Sequence, residues 1–81
     1  MTLFEALASA REYRRLNLTE LARAMKYKAN GKTRSGNYPS YLGRIERGEI
    51  KPSYDVIALM ADGLNITLNY RPGNGWSWRT A

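Results

Sequence analysis

Apolar positions in this 81-residue chain recur every three or four residues over most of its length, then alternate strictly near the end. Leu3, Phe4, Leu7, Ala8 and Ala10 share one helical face and predict a first helix to about Arg15. Asn17-Leu18-Thr19-Glu20 reads as a capping box, the Asn side chain taking the N3 amide and the Glu reaching back to the cap amide. It opens a second helix with Leu21, Ala22 and Met25 facing inward. One or two residues are left between these helices, a joint short enough to make them cross steeply. Residues 26–37 show no period, with two glycines, four basic residues and no acid. They predict a basic loop with a turn at Asn30-Gly31.

Pro39 suits the first position of a third helix, where its missing N–H costs nothing. Leu42 and Ile45, three apart, form a narrow inward seam. Ser40, Tyr41, Gly43, Arg44 and Arg47 take the remaining surface, and Gly48 stops the helix. A face of hydroxyls, glycine and arginines suits the floor of a DNA major groove; it equally suits an ordinary solvated surface helix. Glu49-Ile50-Lys51-Pro52 connects to a fourth helix capped by Ser53, with Asp55 in its first turn and Tyr54, Ile57, Ala58, Ala61 and Leu64 as its buried stripe. Beyond Asn65 the period becomes two. Ile66, Leu68 and Tyr70 alternate with polar residues as in a half-buried strand, Arg71 to Gly75 form a turn, and Trp76-Ser77-Trp78-Arg79 return as a second strand. The expectation is a mainly α domain of four or five helices over residues 1–65, with a C-terminal β-strand or hairpin over 66–81.

Composition narrows the class. There is no cysteine and no histidine, so thiolate chemistry, disulfides, and the commonest general base and metal ligand are all missing. With no glycine-rich phosphate loop either, neither an enzyme nor a cofactor or small-molecule substrate is expected. No apolar run is long enough for a membrane span, and the N-terminal residues lack a basic signal-peptide region, so a cytoplasmic protein is expected. The net charge is +6 and the pI about 10.0. Residues 11–51 hold eleven Lys/Arg against four acids, while the rest of the chain is slightly acidic. Basic charge gathered on the middle of the chain fits a polyanionic partner, although a solvated basic face would carry it too.

These residues resemble the helix-turn-helix domains of phage Cro and repressor proteins, the Xre-like family with its lambda-repressor-like fold. The resemblance rests on Arg11, on Leu16-Asn17-Leu18-Thr19-Glu20-Leu21-Ala22, on Ser40-Tyr41-Leu42-Gly43-Arg44-Ile45-Glu46-Arg47-Gly48, and on Pro52-Ser53, and it covers about residues 3–66. It implies that Arg11 and Glu46 form a buried ion pair, and that the helix near 39–47 lies in the major groove. Ser40, Tyr41 and Arg44, with Pro39 and Gly43 at neighbouring reader positions, would face base edges; Arg44 is best suited, through guanine O6 and N7. Phosphate contacts are expected from Asn17 and Thr19 at the start of the second helix, and from Lys26, Lys28, Lys32, Arg34, Tyr38, Arg47 and Lys51. Three features depart from the family pattern. Leu18 stands where a backbone-touching glutamine is common, Pro39 and Gly43 stand where polar readers are usual, and the 26–37 loop is about ten residues longer than the family's tight turn.

The end of the chain resembles, more narrowly, antitoxins that partner persistence-type kinase toxins, in which a C-terminal strand pairs across a dimer axis. Two tryptophans and a tyrosine near the terminus either pack on their own helices or meet a second copy. The second is favoured here, because a lone hairpin leaves an open edge. Ile66, Leu68, Tyr70, Trp76 and Trp78 are thus the candidate dimer interface. The expected function is a sequence-specific, double-stranded-DNA-binding regulator, a homodimeric repressor reading an inverted repeat. The alternative is an antitoxin whose main partner is a toxin protein.

Overall fold

The computed structural model describes residues 1–28 and 39–81, and for 26–28 the helical backbone only. The elements are α1 (Leu3–Tyr13), α2 (Leu18–Lys28), α3 (Pro39–Glu46), α4 (Tyr54–Leu64), β1 (Ile66–Arg71) and β2 (Gly75–Thr80). The strands form an antiparallel hairpin in which Ile66 faces Thr80, Leu68 faces Trp78 and Tyr70 faces Trp76.

Local chemistry sets most helix ends. Thr2 and Glu5 make a capping box at α1. Asn17 and Glu20 exchange bonds of 2.8 and 2.7 Å at α2, and Ser53 caps α4 through the Val56 amide. At the end of α1, the Leu16 amide reaches the Arg11 carbonyl and the Arg15 amide that of Glu12, around Arg15 at φ 57°. The same Schellman geometry ends α3, with Glu49 N–H to Arg44 O, Gly48 N–H to Ile45 O, and Gly48 at φ 76°. Residues 14–17 therefore separate α1 from α2, a longer joint than expected, because Arg14 and Arg15 leave the helix to complete this turn. Helix α2 in turn runs through residue 28, three residues into the stretch expected as loop.

The core is built from Leu7 and Ala10 of α1, Leu21, Ala22 and Met25 of α2, Leu42 and Ile45 of α3, Met60 and Leu64 of α4, and Ile66 of β1. Gly63 sits where α4 meets α2: a Cβ there would lie 3.2 Å from Met25 Cγ and 3.4 Å from Leu21 Cδ1. Arg14 donates to the carbonyls of Leu64 and Asn65 at 2.9 and 2.8 Å, closing the C-terminal end of α4 with a cation as the helix dipole favours.

Two expectations are corrected. The first concerns the phase of α4. Met60 and Leu64 are buried and Val56 and Leu59 pack against the core, whereas Tyr54 is 83% exposed and Ala58 is exposed. Leu64 and Ala61 of the expected stripe do meet the core, while Tyr54, Ile57 and Ala58 line, with the edge of Ala61, an open groove of about 320 Å³ shared with Asp62, Leu68 and Trp76. The helix is apolar on both sides, and burial went to the side carrying Met60, next to the close approach of Gly63 to α2. The second concerns the hairpin, whose inner residues lie on the chain's own helices. Ile66 is 5% exposed within the core, so it is not available to a second copy. Trp78 packs against Tyr13 with ring centroids 5.1 Å apart and the planes tilted by 55°, and donates from Nε1 to Ser9 Oγ at 3.2 Å. That hydrogen bond satisfies the indole N–H within the chain.

Candidate nucleic-acid interface

Helix α3 is short because it is bounded by a proline and a Schellman turn, and it is held from beneath by fully buried Leu42 and Ile45. Burying that seam fixes the rotation of the helix, and with it the residues that face outward. Ser40, Arg44 and Arg47 are exposed. Pro39 is half-buried, and Tyr41 packs against the core with part of its surface open.

Gly43 does not stand on the outer surface. It is buried where α3 crosses the start of α2, and a Cβ there would come within 3.1 Å of Leu18 Cδ1 and 3.2 Å of Arg47 Nη1. The absence of a side chain lets the two helices approach, so Gly43 has packing as its structural role and offers no group to a base edge. This also accounts for Leu18 at a position expected to be polar: it fills the gap over Gly43.

The contact brings the N-terminus of α2 beside α3. Asn17 and Thr19 are exposed there, next to first-turn amides that a helix cannot satisfy internally. Asn17 takes the Glu20 amide, leaving the amides of Leu18 and Thr19 at the helix end. Lys51 is exposed on the connector after α3. The side chains of Lys26 and Lys28, and residues Lys32, Arg34 and Tyr38, lie outside the described residues, as does the Asn30-Gly31 turn.

Beneath this face, Arg11 and Glu46 meet in a two-pronged pair, Nε to Oε2 at 2.7 Å and Nη2 to Oε1 at 2.9 Å. Arg11 Nη1 also donates to the Leu16 carbonyl at 2.9 Å. The side chains are 20% and 8% exposed. Hydrogen bonding to Glu46 pushes the Arg11 guanidinium above its ordinary pKa, so it stays charged at every working pH. The pair joins α1, the α1–α2 turn and the last turn of α3, locking the outer helix to the scaffold by its end.

One group at the surface was not anticipated from the sequence. The Glu49 carboxylate contacts Arg47 Nε through Oε2, and lies 3.6 Å from Arg44 Nε through Oε1. The hydrogen bond from Arg47 holds its pKa below the usual carboxylate range, with Arg44 adding to the effect. A signal was present in Gly48: a Schellman turn folds the residue after the glycine back over the last helical turn, where Arg44 sits.

Arginines on a rigid outer helix, a neighbouring helix end with unsatisfied amides and a serine hydroxyl form a surface that donates hydrogen bonds and carries positive charge. Its chemistry matches phosphate oxygens and purine acceptors. Among the described residues no cluster of His, Cys, Asp or Glu could hold a metal, and no helix is long and apolar enough to cross a membrane. Residues 32–71, spanning α3, α4 and β1, match a family model described as helix-turn-helix. No curated protein and no solved structure matches the chain.

Proposed function

We propose, from the premise that this chain belongs to the helix-turn-helix family of DNA-binding transcriptional regulators, that it is a homodimeric repressor. In this reading α3 enters the major groove of an inverted-repeat operator. The observation that carries it is the outer face of α3, with Ser40 and Arg44 exposed on a helix whose opposite side is wholly buried. Arg44 reads guanine, Ser40 a neighbouring base edge, and Tyr41 the rim of the groove. Asn17, Thr19, Arg47 and Lys51 hold phosphates, joined by Lys26, Lys28, Lys32, Arg34 and Tyr38 from the segment before α3.

The dimer uses the groove between α4 and the hairpin. Leu68 of β1 and Trp76 of β2 line it together with α4. The Trp76 amide points away from β1, to the Met1 carbonyl at 2.8 Å. Strict alternation then turns the backbone groups of Leu68 and Tyr70, opposite Trp78 and Trp76, outward on β1. Among the described residues that edge has no strand partner. A second copy pairing there about a two-fold axis covers both the edge and the groove.

Selection from randomised duplexes, followed by titration at several salt concentrations, tests the reading. The expected result is an inverted-repeat preference with affinity falling steeply with salt, since several phosphates are neutralised. Arg44→Ala should lose discrimination at one base pair per half-site, about 1–3 kcal/mol, while Lys51→Ala should weaken all duplexes alike. A flat salt response would overturn the DNA reading. Copurification of a toxin that displaces DNA or the second copy would favour the antitoxin alternative.

A further inference from the structure

We infer that Glu49 is a specificity-determining residue of the DNA-reading surface, acting as the shared counter-charge of Arg44 and Arg47; this rests on the proposed DNA-binding function. The carboxylate is hydrogen-bonded to Arg47 Nε and lies 3.6 Å from Arg44 Nε, an ion pair without a hydrogen bond. Its position is not a loose surface accident. The Glu49 amide is bonded to the Arg44 carbonyl at 2.9 Å, and Gly48 at φ 76° makes the turn that carries it there. Backbone geometry thus delivers a carboxylate to the base of two arginines that both face outward.

The arrangement has two consequences for a duplex. First, the pairing with Arg44 stops short of a hydrogen bond, so its two Nη groups stay free to grip guanine O6 and N7 together. Second, the trio carries one net positive charge where the two arginines alone would carry two. A phosphate must then compete with Glu49 for each guanidinium, and a backbone oxygen close to Glu49 is repelled. Sequence-independent attraction is tempered while the base contact is retained, so discrimination is gained by weakening the wrong complexes.

The test compares the full chain with Glu49→Gln, titrated with a duplex selected from a randomised pool and with a random-sequence duplex, each over a range of salt. Glutamine keeps shape and hydrogen bonding but removes the charge, and the exposed site leaves the thermal midpoint as a check on folding. The random duplex should bind about 3- to 10-fold tighter to the variant, and the salt slope should steepen by about one unit. The selected duplex should gain less, so the ratio of the two affinities falls. Unchanged binding, weaker binding to both duplexes, or equal gains on both would overturn the inference. If the unaltered chain shows no salt-dependent binding to any duplex, the DNA-binding function fails and the inference falls with it.

Discussion

Arg15 occupies a left-handed conformation, φ 57°, that a side chain with a Cβ adopts at a cost of about 1–2 kcal/mol. It does so because the turn after α1 requires that geometry at the position where glycine is usual. Arg15→Gly should therefore raise stability by about 0.5–1 kcal/mol after the greater freedom of glycine in the unfolded chain is subtracted, readable as a higher denaturant midpoint. Glu46 makes the opposite case. Removing its carboxylate leaves the Arg11 guanidinium, only 20% exposed, without its partner. Glu46→Ala should cost about 3 kcal/mol, the low end for a buried pair because Arg11 keeps some contact with water. Thermal unfolding would check this, and a loss under about 0.5 kcal/mol would mean the pair is effectively solvated.

At the scale of elements, the helix starts were legible because caps are local. Asn17 with Glu20, and Ser53 before Val56, are written within four residues of each other and need no tertiary information. Asn17→Ala should cost about 1 kcal/mol, with amide exchange in the first turn of α2 speeding up by more than elsewhere. The inward side of α4 was only partly legible. Of the stripe Tyr54, Ile57, Ala58, Ala61 and Leu64, Leu64 is buried and Ala61 packs on the core, but periodicity could not rank Tyr54 and Ala58 below Val56 and Met60. What chose was the fit of Gly63 against Leu21 and Met25. Arg14 at the end of α4 was hidden for another reason, its acceptors being fifty residues away in the chain. On the candidate site, the inward seam of α3 could be read from Leu42 and Ile45. Gly43 could not, because a glycine at helical spacing looks the same whether it faces water or a neighbouring helix.

At the scale of the molecule, two surfaces have no partner among the described residues. One is the basic outer side of α3; the other is the groove of Tyr54, Ile57, Ala58, Leu68 and Trp76. If a second copy fills the groove, Ala58→Glu should leave the fold intact and yield a monomer by sedimentation, because Ala58 is exposed and takes no part in the core. Such a variant should lose affinity for an inverted repeat but not for a single half-site. A monomeric unaltered chain at high concentration would remove the groove from consideration. Acid should weaken the fold as a whole. Thr2 holds the Glu5 carboxylate below its ordinary pKa through backbone and side-chain hydrogen bonds. The stabilisation is complete above the unfolded value of about 4.3 and is lost as pH falls through the lowered one. Thermal midpoints measured across this range should fall less for Glu5→Gln than for the unaltered chain.

The contact between the first residue and the hairpin tip has a practical side. Met1 accepts from the Trp76 amide, and its carbonyl lies so close to Gly75 that a Cβ there would sit 2.6 Å away. A methyl group added by Gly75→Ala would be driven into that carbonyl, and the segment around Met1 would have to lift from the strand to make room. Trp76, the next residue, should report that release as a change in indole fluorescence.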